Sequence, residues 1–544
     1  AAEALGRSAP EAAVSYLRRA LREPPPKGDR HTVSRELGVA LLRADDPEGI
    51  EVLRAVRGAV DDPVVRAEIA TELSISLAFR PSGGKGAALV EESLAEIGDD
   101  HKGLGLFLRG HLLVQLISGM ERIPDGLHPE PEAWPDGASR EGRFVLRQLA
   151  FLYAIGFGRL DQALELAERS TTDLALYESD VLAGLPAHHV FGAQTLADRG
   201  DLTPEYFAAG LEAAKRRGTM ASVAAAHGVR ASCRFADGDL RGAQVDAEAA
   251  VRFEPPDLRV QLTGWLAASL KILLAQGDST AAQELLDRVW RGREPGPGIP
   301  GAFLLTARGE LRQASGRHAE ARHDFLAAAE RVRWLPYPNP EVLGWRTGLA
   351  LAEDALGNHE EARRLTAEAV RLARMAGGSR GIGFTLHVQG LVSEGSERID
   401  LLHEASEILA GTRARLYHAE ALADLGAALR RANRRKEARE PLREALDLAH
   451  RCGAVPLEER ARTELEVTGA RPRKALLSGV ESLTPSELRV ARLAAAGKTN
   501  REIAHSLVVT QKTVETHMRH VFQKLDVDRR TALAPVLAED LPAV

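Results

Sequence analysis

Leu483 to Leu525 reads LTPSELRVARLAAAGKTNREIAHSLVVTQKTVETHMRHVFQKL, and the stretch punctuates itself into three helices. Thr484, Pro485 and Glu487 form a capping-box pattern with proline at the first helical position. Gly497 stops that helix, and Thr499 with Glu502 opens the next through a second capping box. After a short turn at Leu507 to Val509, Thr510 is placed to cap a third helix from Gln511 to Leu525, about 22 Å long. Val514, Met518, Val521 and Leu525 recur at helical spacing and give the third helix one apolar stripe. Lys512, Glu515, Thr516, Arg519, His520 and Gln523 occupy its other side. A short helix tied by a tight turn to a longer one with a polar outer face is a helix-turn-helix, whose second helix fits the major groove of DNA.

Charge supports that reading. The chain of 544 residues has a net charge of −6, yet Arg471 to Ala534 holds 12 Lys/Arg against 6 Asp/Glu. A basic module on an acidic body is the footprint of a duplex reader attached to something that does not touch DNA. Phe522 is the one aromatic residue in the module, which argues against single-strand binding by base stacking. The two cysteines, Cys233 and Cys452, exclude a disulfide framework and favour a reducing, cytoplasmic setting. No apolar run approaches the roughly 20 residues of a membrane span.

Upstream of the module the sequence is helical throughout and repetitive. Gly158 with Ala163 recurs as Gly238 with Ala243, Gly277 with Ala282, Gly316 with Ala321 and Gly357 with Ala362. Asn433 with Ala438 substitutes the other residue that tolerates a left-handed turn. Successive turns lie about 39 to 41 residues apart, with Gly200 and Gly395 near the midpoints of two double-length gaps. The reading is an all-α, tetratricopeptide-like solenoid followed by a small four-helix module. Four proline-rich stretches, at Glu23–Lys27, Pro124–Gly137, Arg291–Pro300 and Trp334–Pro340, are expected to be exposed loops between helices. The expected domains are the solenoid over 1–470, a basic linker over 471–482, and the DNA-binding module over 483–544.

Here the residues carry a resemblance. Leu483-Thr484-Pro485, Glu487, Gly497, Asn500 through Ala504, Lys512-Thr513-Val514, His517 and Lys524-Leu525 are similar to the DNA-binding domain of LuxR-type regulators. With the array, the Gly469–Arg473 linker and the Asn339–Arg346, Glu361–Arg363 and Leu425–Arg443 segments, the order resembles the C-terminal part of the large ATP-binding regulators of that family. The resemblance implies a transcription activator of an actinobacterial-type biosynthetic gene cluster, meeting the transcription machinery. It implies a homodimer on pseudo-palindromic double-stranded DNA, with the array as platform for a small-molecule or protein effector. It also implies an upstream nucleotide-binding domain, so ATP is expected only there and no cofactor in this chain. The turn-like Gly6 to Ala12 segment, so near Ala1, points the same way: the chain is expected to begin inside a repeat.

The expected DNA-contacting residues are Lys498, Thr499, Asn500 and Arg501 at one helix start and Thr510, Lys512 and Thr513 at the next, followed by Glu515, Thr516, Arg519, His520 and Lys524. Arg519 matches a position where LuxR-type proteins carry a basic residue toward the groove, able to grip guanine O6/N7 or a phosphate. Lys512 lies beside the phosphate backbone at a helix N-terminus. Glu515 departs from the family's usual Lys or Arg, and takes its donor either from a cytosine N4 amino group or from Arg519 at i+4. Leu533, Val536, Leu537 and Leu541 are the expected dimer stripe on a fourth helix spanning Arg529 to Leu541.

Catalytic readings fail on their residues. Phe79 stands where a phosphate-binding loop needs its first glycine, and Gly86 replaces the hydroxyl after Gly84-Lys85. His517 and His520 lack the further ligands of a metal site, as does His188-His189, and no nucleophile elbow or His-Glu-x-x-His pair occurs. The open alternative is a repeat-based adaptor whose terminal helices bind protein rather than DNA.

Overall fold

The computed structural model describes the chain apart from residues 2–3, 5–8, 24–28, 79, 81–84, 120–134, 136, 172–191, 200–207, 209, 216–219, 254–258, 471–479, 481–482, 484, 508–509, 526, 528 and 540–544. Among the described residues every regular element is helical, and none is long and apolar enough to cross a membrane. The basic linker (Val480 apart), Thr484, Val508-Val509, Leu541, His188-His189, Gly200-Asp201, the Gly6–Ser8 turn, Phe79 and Gly84 lie outside the described residues, as do most of the first two proline-rich stretches. Two compact units divide the chain, Ala1–Tyr417 and His418–Val544.

One turn recurs through both units. At Gly238, Gly277, Gly316, Gly357 and Asn433 the backbone is left-handed, with φ of 80°, 87°, 73°, 86° and 63°. At each the next residue's N–H reaches back to a carbonyl five positions earlier: Asp239 to Arg234, Asp278 to Leu273, Arg317 to Arg312, Asn358 to Glu353 and Arg434 to Leu429, all at 2.8–2.9 Å. This is the Schellman closure, and it satisfies carbonyls the helix end would otherwise leave open. The alanine five residues on is fully buried in every case, because there the second helix of the pair meets the first. Gly395 also turns left-handed, at φ 60°, near the midpoint expected of it.

Three turns depart from expectation. Gly158 has φ −162°, an extended conformation, so it does not close a helix through a left-handed residue. Its glycine is a matter of space: a Cβ there would sit 2.3 Å from the Tyr153 ring. Conversely, Asp45 and Asp198 adopt φ of 56° and 62° and make the same closure, Asp46 to Leu41 at 2.9 Å and Arg199 to Gln194 at 2.8 Å.

Within the first unit, small residues receive large ones. Gly309 and Gly348 both abut the Phe325 ring, and Gly228 abuts Trp265, each with no room for a Cβ. Two carboxylates are wholly buried at equivalent places, eight residues after their turns. Asp246 is gripped by His227, Arg230 and Arg234, and Asp324 by Arg308 and Arg312, at 2.5–3.0 Å. A buried charge is tolerated only when paired in this way.

The array of this unit also folds back on itself, and the stretch expected to be an exposed loop at Trp334–Pro340 makes the seam. Tyr337 and Asn339 donate their N–H groups to Gly156 and Ile155 at 3.0 and 2.9 Å, and Asn339 Nδ2 donates to Ala154 O at 3.0 Å. Leu335, Asn339 and Pro340 are buried. The prolines fix φ and so stiffen this docked segment. The Arg291–Pro300 stretch is loop only as far as Pro297, since a helix runs from Gly298 to Ala314.

Candidate nucleic-acid interface

Four helices make the C-terminal module: Pro485–Ala495, Asn500–Leu507, Gln511–Leu525 and, after a 3₁₀ turn at Arg530–Ala532, Leu533–Glu539. The third helix turns Val514, Met518, Val521 and Leu525 into the core, as its periodicity requires, against Val490, Ala491, Ala494 and Ile503.

Its entry and that of the second helix are fixed by side-chain caps. Thr499 N–H donates to Glu502 Oε2 at 2.7 Å, and Glu502 N–H donates to Thr499 Oγ1 at 3.3 Å. The Thr499 backbone hydrogen bond holds the exposed Glu502 carboxyl below its ordinary range. Thr513 N–H donates to Thr510 Oγ1 at 3.1 Å, capping the third helix. Thr499, Thr510 and Thr513 therefore have local structural roles.

Of the expected contact residues, the fold brings Lys512, Glu515, Thr516 and Arg519 onto one exposed helical face, with Lys498 and Arg501 exposed at the start of the second helix. Thr516 Oγ1 donates back to Lys512 O at 3.0 Å. Glu515 accepts from Gln511 Nε2 at 3.4 Å and makes no ion pair with Arg519, which leaves the arginine extended to solvent.

Other residues turn inward. Lys524 Nζ donates to Glu487 Oε2 at 2.6 Å, with Glu487 only 6 % exposed, and His520 Nδ1 stands 3.5 Å from the other carboxylate oxygen. Lys524 thus ties the third helix to the first. Asn500 Oδ1 accepts from Arg530 Nη1 at 2.8 Å, and Arg530 also donates to Lys498 O. In the fourth helix Leu533 and Leu537 are buried in the module's own core, while Val536 is only partly covered. Of the four residues expected as an outward stripe, Leu533 and Leu537 therefore serve the module's own core instead, and Leu541 lies outside the described residues.

Comparison with known proteins agrees with this geometry. The family model described as bacterial regulatory proteins, luxR family, matches residues 481–537. The C-terminal module is a LuxR-type helix-turn-helix domain. The transcriptional regulatory protein LiaR of Bacillus subtilis is 52 % identical over 54 residues, 10 % of this chain and 26 % of its own. A candidate HTH-type transcriptional regulator of Mycobacterium tuberculosis is 26 % identical over 502 residues, 88 % of this chain and 49 % of its own. The chain thus spans about half the length of this curated relative. A solved signal-transduction ATPase with a tetratricopeptide-repeat sensor, from Pyrococcus horikoshii, aligns over 97 % of this chain and 71 % of its own at 11 % identity, with a TM-score of 0.37.

Two residues that organise the LuxR-type domain escaped the sequence reading. Glu487 reads as a cap partner for Thr484, and its actual partner Lys524 lies 37 residues away. Arg530 carried no assignment from the sequence, yet it anchors the start of the second helix from 30 residues downstream. The signal available was weak: a carboxylate one turn into a helix, facing a lysine whose helical phase falls beside the apolar stripe rather than opposite it.

Proposed function

We propose that this chain is a sequence-specific DNA-binding transcription regulator whose LuxR-type domain reads the major groove with the helix Gln511–Leu525. The single observation that carries the reading is the face formed by Lys512, Glu515, Thr516 and Arg519, exposed on a helix whose back is fully buried in a LuxR-type core. Arg519 reaches a base edge or a phosphate, Lys512 and Lys498 take phosphates, and Arg501 adds charge at the second helix's N-terminus. Thr516 lies within the reading face and His520 flanks it. Lys524, Asn500 and the capping threonines position it.

The domain limits that fit this role are an array over 1–470, a basic linker over 471–482 and the DNA-binding domain over 483–544. Activation of a biosynthetic gene cluster, pairing on a pseudo-palindrome and the use of the array as an effector or protein platform rest on the resemblance to large LuxR-family regulators. Among the described residues of the fourth helix, Val536 is the large apolar side chain left partly uncovered, and it is the one offered for pairing. Incubating the full chain with a pool of duplex genomic fragments and sequencing those retained tests the proposal. A recurrent, inverted-repeat motif is the expected outcome. Retention without any shared motif, or no retention at low salt, would favour a protein adaptor instead.

A further inference from the structure

Beyond the Trp334–Pro340 seam, the array of the unit Ala1–Tyr417 meets itself a second time, through charge. Two early turns supply one side, at Asp198 and at Ala236–Asp237. Arg413, in the connection after helix Gly395–Ala410, supplies the other. Its N–H donates to Asp198 Oδ1 at 3.0 Å, and its guanidinium grips Asp237 Oδ2 through Nε at 3.1 Å and Nη2 at 2.7 Å. Arg415 adds a bond from Nε to Asp237 O at 2.8 Å. These contacts join positions 176 to 215 residues apart.

The outer layer of this contact is wet, and the layer beneath it is not. The Arg413 side chain is 47 % exposed, against 1 % for Arg380. Arg380 Nε donates to Glu341 Oε1 at 2.9 Å, and its Nη2 donates to Ala236 O at 3.1 Å. Its Nη1 stands 3.6 Å from Asp198 and 3.8 Å from Asp237, too far for a hydrogen bond to either. Arg380 Nη1, Asp237 Oδ1 and Glu341 Oε2 are all buried without a hydrogen-bond partner in the protein. Buried polar atoms are paired in the great majority of native structures, so three unpaired ones in one cluster weigh against closure. Release would let water reach all three, and it would leave the Arg380–Glu341 pair intact because both members lie on the late side. The exposed pair that holds the closure contributes little in water and is screened by salt.

We propose that the connection carrying Arg413 is a salt-labile latch, which lets go of the Asp198 and Asp237 turns and opens the cluster beneath without unfolding the unit. Cys233 sits directly behind it. Its residue is 9 % exposed, its Sγ accepts from Thr195 Oγ1 at 3.2 Å, and it lines one cavity with Arg380 and Tyr417. Burial pushes the Cys233 thiol up to about 12, so the closed form is unreactive toward thiol reagents. Cys452, also buried, lies outside this unit and serves as the internal reference.

The test is the rate at which N-ethylmaleimide, an uncharged reagent, modifies each cysteine of the full chain under native conditions, read by peptide mass spectrometry. Raising salt from about 0.1 to about 1 M shortens the Debye length from roughly 10 to 3 Å. Labelling of Cys233 should then accelerate roughly fivefold relative to Cys452, the scale of one exposed ion pair. Arg413→Ala should label Cys233 faster by a similar factor at low salt, with most of the salt effect gone. Arg413→Gln, which keeps a donor and removes the charge, serves where Arg413→Ala does not fold. A wild-type Cys233 rate indifferent to salt, or a folded Arg413 variant that labels no faster, would overturn the proposal. So would equal acceleration at Cys452, which marks general unfolding rather than release of a latch.

Discussion

At the residue scale the reading face turns on Glu515. Two donors were open to it from the sequence, a cytosine amino group or Arg519; in the folded chain Glu515 accepts from Gln511 Nε2 at 3.4 Å rather than from Arg519. An acid between Lys512 and Arg519 would face phosphates at a desolvation cost of several kcal/mol unless a donor met it. The account makes Glu515 a base reader, with Gln511 releasing it on binding. Glu515→Lys should therefore tighten binding to scrambled duplex, since it adds two units of positive charge. It should also lower the preference for the selected site by roughly 1–3 kcal/mol. Titrating both proteins against selected and scrambled duplexes checks this. An unchanged specificity ratio would reduce Glu515 to a solvated surface acid.

At the scale of elements, what could be read in advance followed local chemistry, and what could not depended on distant partners. The turns at Gly238, Gly277, Gly316, Gly357 and Asn433 were legible because few residues accept a left-handed backbone cheaply. Asp198 and Asp45 make the same turn but look like ordinary surface acids, and Gly158 looks like a turn glycine while serving only to admit Tyr153. The third module helix was legible from its stripe, whereas the burial of Leu533 and Leu537 in the fourth was not, because periodicity shows an apolar face without saying what covers it. Leu537 is 8 % exposed within the core, so Leu537→Asp should destabilise the domain by roughly 3–5 kcal/mol and report on folding rather than pairing. Val536→Asp should leave the melting transition in place and weaken binding to a two-half-site duplex more than to a single half-site. Equal weakening on both duplexes would remove this helix from the pairing surface.

Across the whole molecule the architecture was legible as a helical array with a DNA-binding end, but the fold-back at Trp334–Pro340 was not. It joins backbone groups more than 180 residues apart, and no local pattern encodes such a contact. The interior of the first unit also carries a pH dependence. His111 is 1 % exposed, packs against the Phe107 and Phe144 rings and bonds Ser74 Oγ at 2.6 Å, and burial pushes its pKa down to about 3. Unfolding lets it return to about 6.5, so between those values the unfolded chain binds the extra proton and stability falls as pH drops. Wild type should lose about 1.4 kcal/mol per pH unit below about 6.5 relative to His111→Gln, with no divergence above that pH. Parallel melting curves from pH 8 to 5 would exclude it. The central claim, that this chain holds duplex DNA on the face around Lys512 and Arg519, is tested most directly by the salt dependence of full-chain affinity for a selected duplex. Four exposed bases, Lys498, Arg501, Lys512 and Arg519, predict a slope of log K against log salt of about −3.6 per bound domain, reduced by about 0.9 in Lys512→Ala. A flat salt profile, or a slope that Lys512→Ala leaves unchanged, would contradict the account.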